Sequence, residues 1–422
     1  MKAFRLVTAA SLTLIGPASA SLYNMMNEDA QESSPLKWTV GADLIWDDNV
    51  NPTIRNIPAG NPAFQEDALS INPYVGVSFV NITPQTTIDL YSRIGAIYYF
   101  EAPSALGSDD LYPDLKLGLN LTHRFSERLR WVSRNYVAYQ LEPDYAYGFA
   151  NSRMADAYLY WSTDQALGYR WSERFATYTG INFYGLDYDS AVANQDRTTW
   201  EAYNDFRFQL SQQTVLTLTY RYGQTAAGGL ASDSTNHYLL AGIEHRVSPT
   251  TILSFKGGVQ IREVDTLGGA DDTSPYAEAM LRSQVNDQFT IRCFARYGIE
   301  DWDTVFGTGE VGPLFVPIEF DSAATLRVGV SADYAISPMF NLFGGVSYIG
   351  HEYEDGRLLS TPIPIAAASA SEDLINAYVG VSLKLNDWLY AQASYNYTNS
   401  SSDILSRDYD RNRISLGMRA EF

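Results

Sequence analysis

The chain has 422 residues, a formal net charge of −20, and an aromatic load of 30 Tyr, 19 Phe and 8 Trp. The acidic balance excludes a general nucleic-acid binder, which needs a basic footprint, and the single cysteine, Cys293, excludes an intramolecular disulfide. No apolar run approaches the ~20 residues of a membrane-spanning helix, so a membrane crossing would have to be made by strands that hide apolar residues at alternate positions.

Lys2 and Arg5 form a basic start, Leu6 to Ile15 an apolar core, and Ala18-Ser19-Ala20 a small-residue cleavage site. That layout reads as a secretory signal peptide over residues 1–20. Residues 21–36 read as a flexible mature N-terminus. Residues 37–422 run without a linker or a shift in composition and read as one outer-membrane β-barrel.

Trp38, Val40, Ala42, Leu44 and Trp46 alternate as an opening strand, and eight hairpins follow. Leu69–Phe79 turns at Asn81 to Pro84 into Ile88–Tyr98. Leu115–Leu121 turns at Ser126-Glu127 into Leu129–Tyr139, and Leu159–Leu167 turns at Ser172-Glu173 into Phe175–Leu186. Phe206–Leu210 turns at Ser211-Gln212-Gln213 into Leu216–Tyr222, and Leu239–Ile243 turns at Ser248-Pro249-Thr250 into Leu253–Ile261. Ala277–Leu281 turns at Asn286-Asp287 into Phe289–Tyr297, Leu326–Tyr334 turns at Ser337-Pro338 into Phe340–Val346, and Ile375–Leu383 turns at Asn386-Asp387 into Ala391–Tyr397. Ser, Pro, Asn and Asp are the residues tight hairpins favour.

A closing strand sets Ile414, Leu416, Met418, Ala420 and Phe422 against Arg413, Ser415, Gly417, Arg419 and Glu421. A terminal Phe422 after such alternation resembles the signal by which Gram-negative barrels are handed to their assembly machinery. The expected fold is therefore an all-β, transmembrane antiparallel barrel of about eighteen strands (16–18). Its short turns would be periplasmic. The longer, Asp- and Gly-rich connections would be extracellular: Asp47–Gln65, Asp187–Arg197, Asp265–Ser274, Asp301–Pro317, Glu354–Glu372 and Asn399–Arg411. Soluble sandwiches or a propeller are the alternative, but no blade-periodic motif appears.

With the apolar parity facing lipid, Arg93, Arg134, Arg207, Arg221, Arg262, Arg282, Arg292, Arg296 and Arg327 line the pore. A barrel this wide leaves an aqueous channel, and rings of arginine bias a pore toward anions. The competing account is that these arginines pair with Asp43, Asp89, Glu201, Asp205, Glu244, Glu278, Glu300 and Asp333 to keep the interior satisfied. Inward tyrosines Tyr136, Tyr184 and Tyr203 would supply a saccharide track if they lined the lumen. The loop Asp301–Pro317, with Phe306, Leu314 and Phe315, is a candidate constriction.

Catalytic chemistry has little to stand on. His351, followed by Glu352, Tyr353, Glu354 and Asp355, is the one histidine in an arrangement suited to acid/base or metal work. No GxSxG, HExxH or phosphate loop is present. Asp47-Asp48-Asn49 and Asp271-Asp272 offer oxygen ligands but lack the spacing of a calcium loop. The expectation is thus no enzyme, no metal and no cofactor.

The stretch Gly41-Ala42-Asp43-Leu44-Ile45-Trp46-Asp47-Asp48-Asn49-Val50 resembles the opening of outer-membrane barrels of the β-barrel porin 2 type, which often start with an aromatic followed by Asp-Asp-Asn. Thr214 to Tyr222, Tyr238 to Ile243 and Arg246 to Pro249 are similar to that family's later hairpins. The resemblance implies an outer-membrane barrel, sometimes linked to exported polysaccharide, and no set of functional residues. The expected function is passive passage of small hydrophilic solutes, with an anion bias, in contact with outer-membrane lipid. Polysaccharide export or surface binding is the first alternative and a barrel enzyme the second.

Overall fold

A computed structural model describes residues 33–50, 66–103, 109–141, 157–189, 196–228, 231–265, 271–300, 305–306, 318–358, 369–403 and 408–422. The expected signal peptide, residues 21–32, and the larger part of the 301–317 loop, Leu314 and Phe315 included, lie outside the described residues. Among those described, no helix is long and apolar enough to cross a membrane.

The strands in chain order are β1 (Ser34–Asp47), β2 (Ala68–Ile82), β3 (Thr86–Tyr99), β4 (Leu111–Arg124), β5 (Leu129–Gln140), β6 (Tyr158–Arg170), β7 (Phe175–Tyr188), β8 (Arg197–Gln209), β9 (Thr214–Ala227) and β10 (Ser234–Ser248). They continue with β11 (Thr251–Val264), β12 (Asp272–Gln284), β13 (Phe289–Ile299), β14 (Val305–Phe306), β15 (Ile318–Ala335), β16 (Phe340–Leu358), β17 (Ala370–Lys384), β18 (Leu389–Ser402) and β19 (Tyr409–Glu421). β1 begins at Ser34, ahead of the boundary expected at 37, with a register shift between Ser34 and Lys37.

Neighbouring strands pair antiparallel, and β1 also pairs with β19, from Thr39 opposite Glu421 to Asp47 opposite Arg413. That pairing closes the sheet on itself and removes its edges. β14 is a two-residue extension on the start of β15, while β13 pairs directly with β15. Nineteen strands less β14 leave eighteen in the cylinder, at the top of the expected range.

Alternation assigns the two faces. Trp46, Ile94, Leu167, Leu218, Leu239, Phe255, Val330, Val379 and Leu416 are exposed on one parity. The other parity makes contacts that jump a strand: Arg207 on β8 reaches Glu244 on β10, Arg93 on β3 reaches Asp43 on β1, and Tyr203 on β8 donates to Asp164 on β6 at 2.8 Å. Strands two apart lie about 9–10 Å from one another, so such contacts form where side chains converge, on the concave face. The charged parity is therefore the lumen wall, and the apolar parity is the outer belt.

At one end of the cylinder the hairpins share a single turn chemistry. Ser126 Oγ accepts from the backbone N of Arg128 and Leu129 at 3.2 and 3.0 Å, and Asn286 Oδ1 accepts from Gln288 and Phe289 at 2.8 and 2.9 Å. Asn386 does the same for Trp388 and Leu389. These caps satisfy donors that the tight turn leaves without a ladder partner. The residue before each cap is apolar and exposed, as at Phe125, Trp171, Leu210, Val247, Val285, Ile336 and Leu385, and Phe422 joins that girdle.

Candidate functional site

The ladder determines what each of the nine arginines singled out in the sequence faces. Arg207, fully buried, is gripped by Asp205 at 2.6 Å and by Glu244. Arg327 makes a fork on Glu300, Nε at 2.8 Å and Nη2 at 2.7 Å, and Arg296, directly opposite Arg327, shares the same carboxylate. Arg93 bonds Asp43 at 2.9 Å and approaches Asp114 at 3.4 Å while covering the Tyr74 ring. Arg134 stands 3.6 Å from Asp164, Arg221 lies over the Tyr238 ring, and Arg262 is opposite Asp272. Arg282 is opposite Arg292, which reaches Asp333 at 3.4 Å. Partnering to a carboxylate dominates this wall, as burial of charge requires.

Aromatic rings on the wall lie flat over glycines of the adjoining strand. Tyr74 covers Gly41, Tyr91 covers Gly118, Tyr203 covers Gly180, Phe294 covers Gly329, Phe343 covers Gly380 and Tyr378 covers Gly345. A β-carbon at those glycines would meet the ring, so glycine is the residue that lets the aromatic fold down. Tyr136 and Tyr203 are buried in two separate clusters, and Tyr184 packs against that of Tyr136. In the row Tyr91, Tyr136, Tyr160 successive rings meet tilted, with centroids 6.4 and 6.1 Å apart. Tyr136 and Tyr184 thus share one cluster, while Tyr203 packs with Val132, Ala166 and Tyr178.

Each histidine has its Nδ1 beside a hydroxyl on the neighbouring strand: His123 with Thr86 at 2.8 Å, His245 with Thr214 at 3.0 Å, His237 with Tyr220 at 3.0 Å and His351 with Thr325 at 2.9 Å. Thr325 Oγ1 also lies 3.1 Å from Ala323 O, to which it donates. The His351 ring stacks on Tyr353 at 5.6 Å. Glu352 belongs to the opposite parity of β16 and does not share that face. Among the described residues no group of His, Cys, Asp and Glu is set to hold a metal ion.

The loop end carries one contact the sequence did not disclose. Ser232, between β9 and β10, donates its backbone N and its hydroxyl to the Glu319 carboxylate of β15 at 2.7 and 2.8 Å. Strands β10 to β13 lie between them in the wall, so this segment bends over the mouth. Of the loop expected to constrict the pore, the described part, β14, runs beside β15.

No family model matches this chain, and no curated protein matches it. Among solved structures it is similar to OccAB4 of Acinetobacter baumannii, with 15% identity, TM-score 0.44, and coverage of 93% of this chain and 99% of that one. It is similar to the outer membrane protein opdK of Pseudomonas aeruginosa, with 14% identity, TM-score 0.45, and coverage of 92% and 99%. It is also similar to OccK2 (OpdF) of Pseudomonas aeruginosa, with 12% identity, TM-score 0.46, and coverage of 92% and 98%.

The Asp47-Asp48-Asn49 stretch, a candidate oxygen-ligand cluster by sequence, is occupied by the barrel's own last strand. Asp47 binds Arg411 through both carboxylate oxygens, Asp48 accepts from Asn412 N and Nδ2 at 2.6 Å each, and Asn49 Nδ2 donates to Asp410 O at 3.0 Å. In the other acidic pair, Asp272 stands opposite Arg262.

Proposed function

We propose that this chain is a pore of the bacterial outer membrane through which small hydrophilic solutes diffuse passively. The observation that carries the reading is closure of eighteen strands around a charged concave face, with an apolar convex face. The convex face is matched to lipid, and a cylinder of that strand number is too wide for side chains to fill. A secretory signal over residues 1–20 supports export, and the turn end then faces the periplasm. Outer-membrane lipid is the partner of the belt, and the barrel-assembly machinery is the partner of the strand ending in Phe422.

An anion bias belongs to the same reading, but only part of the arginine set supports it. Arg93, Arg134, Arg207, Arg296 and Arg327 are neutralised by adjacent carboxylates. Arg292 reaches Asp333 at 3.4 Å and keeps 37% of its side-chain surface. Single-channel recording of the refolded protein in planar bilayers, with the reversal potential taken under a KCl gradient, tests both points. Steady openings with a modest anion preference are expected. A folded barrel that never conducts would overturn the pore, and a cation preference would overturn the bias.

A further inference from the structure

We propose that a neutral polar patch on the convex face of β5 and β6 is the contact by which two copies of this chain pair side by side in the membrane. The proposal rests on the outer-membrane reading above and goes beyond it to a partner.

Register carries the apolar parity of β4 onto β5 and β6, because Leu117 faces Val137 and Val137 faces Trp161. Counting by twos from those residues puts Ser133 and Asn135 of β5, and Thr163 and Gln165 of β6, on the lipid side. Ser133 is opposite Gln165, and Asn135 is opposite Thr163. The side chains form one network. Gln165 Nε2 donates to Ser133 Oγ and Thr163 Oγ1 at 2.8 Å each, and Thr163 Oγ1 donates to Asn135 Oδ1 at 2.8 Å. Asn135 Nδ2 donates to Ser133 Oγ at 2.9 Å, and Trp131 Nε1 to Gln165 Oε1 at 3.1 Å. On β7 and β8 the track continues through Thr179, which is exposed and opposite Asn204.

Thr163 and Gln165 flank Asp164, the midpoint of the 13 residues of β6, a depth at which the surroundings are hydrocarbon. Near the midpoints of other strands the convex face exposes Val75, Ile94, Leu117, Leu239, Val330 and Val379. Side-chain amides in hydrocarbon are costly, and bonds within the patch offset only part of that cost. Asn135, Thr163 and Gln165 are half-buried, so polar surface is still turned outward. The Trp161 ring does not cover it, because that ring lies over Gly185 and against Phe183, toward β7.

An occupant has to lie at that depth, carry no charge, and offer donors as well as acceptors. Acyl chains offer neither. Phosphate headgroups lie at the interfaces and call for Lys or Arg, and the patch contains none. A second copy meets every condition. Copies inserted the same way round are related by rotation about the membrane normal, which keeps each residue at its own depth. A two-fold axis beside Leu167, next to Gln165 and opposite Thr179, sets the patch against itself. Ser, Thr, Asn and Gln each donate and accept, so the patch complements its own copy. A head-to-tail ring would set most of it against leucine and valine.

The test uses the full-length chain in the outer membrane of expressing cells, in a Cys293→Ala background, oxidised with copper phenanthroline. Leu167→Cys probes the patch, and Val346→Cys, on β16 across the cylinder, is the control; both positions are exposed. A disulfide-linked species of two chains should form at Leu167→Cys and not at Val346→Cys. Linking of one position to itself reports a two-fold contact. Asn135→Leu with Gln165→Leu should cut the linked fraction about tenfold, the scale of one or two hydrogen bonds within a membrane. The same pair of changes leaves an apolar belt, so that barrel should refold as well as wild type. Thr163→Val, which keeps the shape, should reduce linking about threefold. A network serving only the single barrel would lose stability in the double variant with linking unchanged. In a membrane-inserted barrel, no linking at Leu167→Cys, equal linking at both positions, or linking untouched by the double variant overturns the pairing and leaves the outer-membrane reading standing. Linking to a protein of another mass overturns the second copy as the partner. A chain recovered from the soluble periplasm sinks the outer-membrane reading, and the pairing with it.

Discussion

Arg411 on β19 binds Asp47 on β1 with its Nε 3.1 and 3.0 Å from the two carboxylate oxygens, and both side chains are buried. Arg413 adds a second guanidinium at 3.3 Å. The first and last strands are thus fastened at the loop end by charge, while Trp38 and Phe422 exchange backbone hydrogen bonds at the turn end. Removing Asp47 takes from buried Arg411 the carboxylate that both its Nε and Nη2 hold. Asp47→Ala should cost about 3–5 kcal/mol in urea unfolding, the penalty of breaking a buried pair from one side. Hydrogen exchange should quicken on β1 and β19 and not on β7. Uniform quickening, or no loss of stability, would contradict a seam role for Asp47.

Glu300 follows β13 and bridges the opposed Arg296 and Arg327. Burial acts to raise its carboxyl, but the two guanidinium groups outweigh it and hold the group well below the usual carboxylate range. A depressed folded value contributes stability that is full above the unfolded value, about pH 4.3, and drains away as pH falls toward the folded one. The stability gap between wild type and Glu300→Gln should therefore be constant from pH 7 to about pH 5 and shrink below that. A gap that widens on acidification would be inconsistent with this sign.

Gly329 lies beneath the Phe294 ring. In Gly329→Ala the new methyl must displace the ring, and the open direction is the lumen. The expected cost is about 1–3 kcal/mol, as for overpacking elsewhere, together with a smaller single-channel conductance. Unchanged conductance would mean the ring finds another place against the wall.

Period-two alternation made the strands and their pairing into hairpins legible, because each depends only on local order along the chain. The caps at Ser126, Asn286 and Asn386 were legible for the same reason. Partner choice was not. That Arg282 meets Arg292 while Arg296 meets Arg327 over Glu300 follows from register and from where β13 ends. The role of Asp47-Asp48-Asn49 was hidden because its partners, Asp410 to Arg413, lie at the other end of the chain. The flat tyrosines were hidden too: a Tyr and a Gly in different strands give no sign in sequence that they will be neighbours.

Phe422 stacks on Trp388 at 6.3 Å and leaves 68% of its surface exposed. An aromatic pair in that setting is worth about 0.5–1.5 kcal/mol, so the ring does little to hold the finished barrel. Its expected work is earlier, as the label by which the assembly machinery takes up the last strand. Phe422→Ala should refold in detergent to a barrel within about 1.5 kcal/mol of wild type. The amount inserted in the outer membrane of expressing cells should nonetheless fall severalfold, read as heat-modifiable barrel on unboiled gels. Backbone pairing of residue 422 with Trp38 survives the substitution, which separates loss of the ring from loss of the seam. If the variant reaches the membrane as well as wild type does, Phe422 is a girdle residue like Phe125 and Trp171, and the signal lies elsewhere in β19.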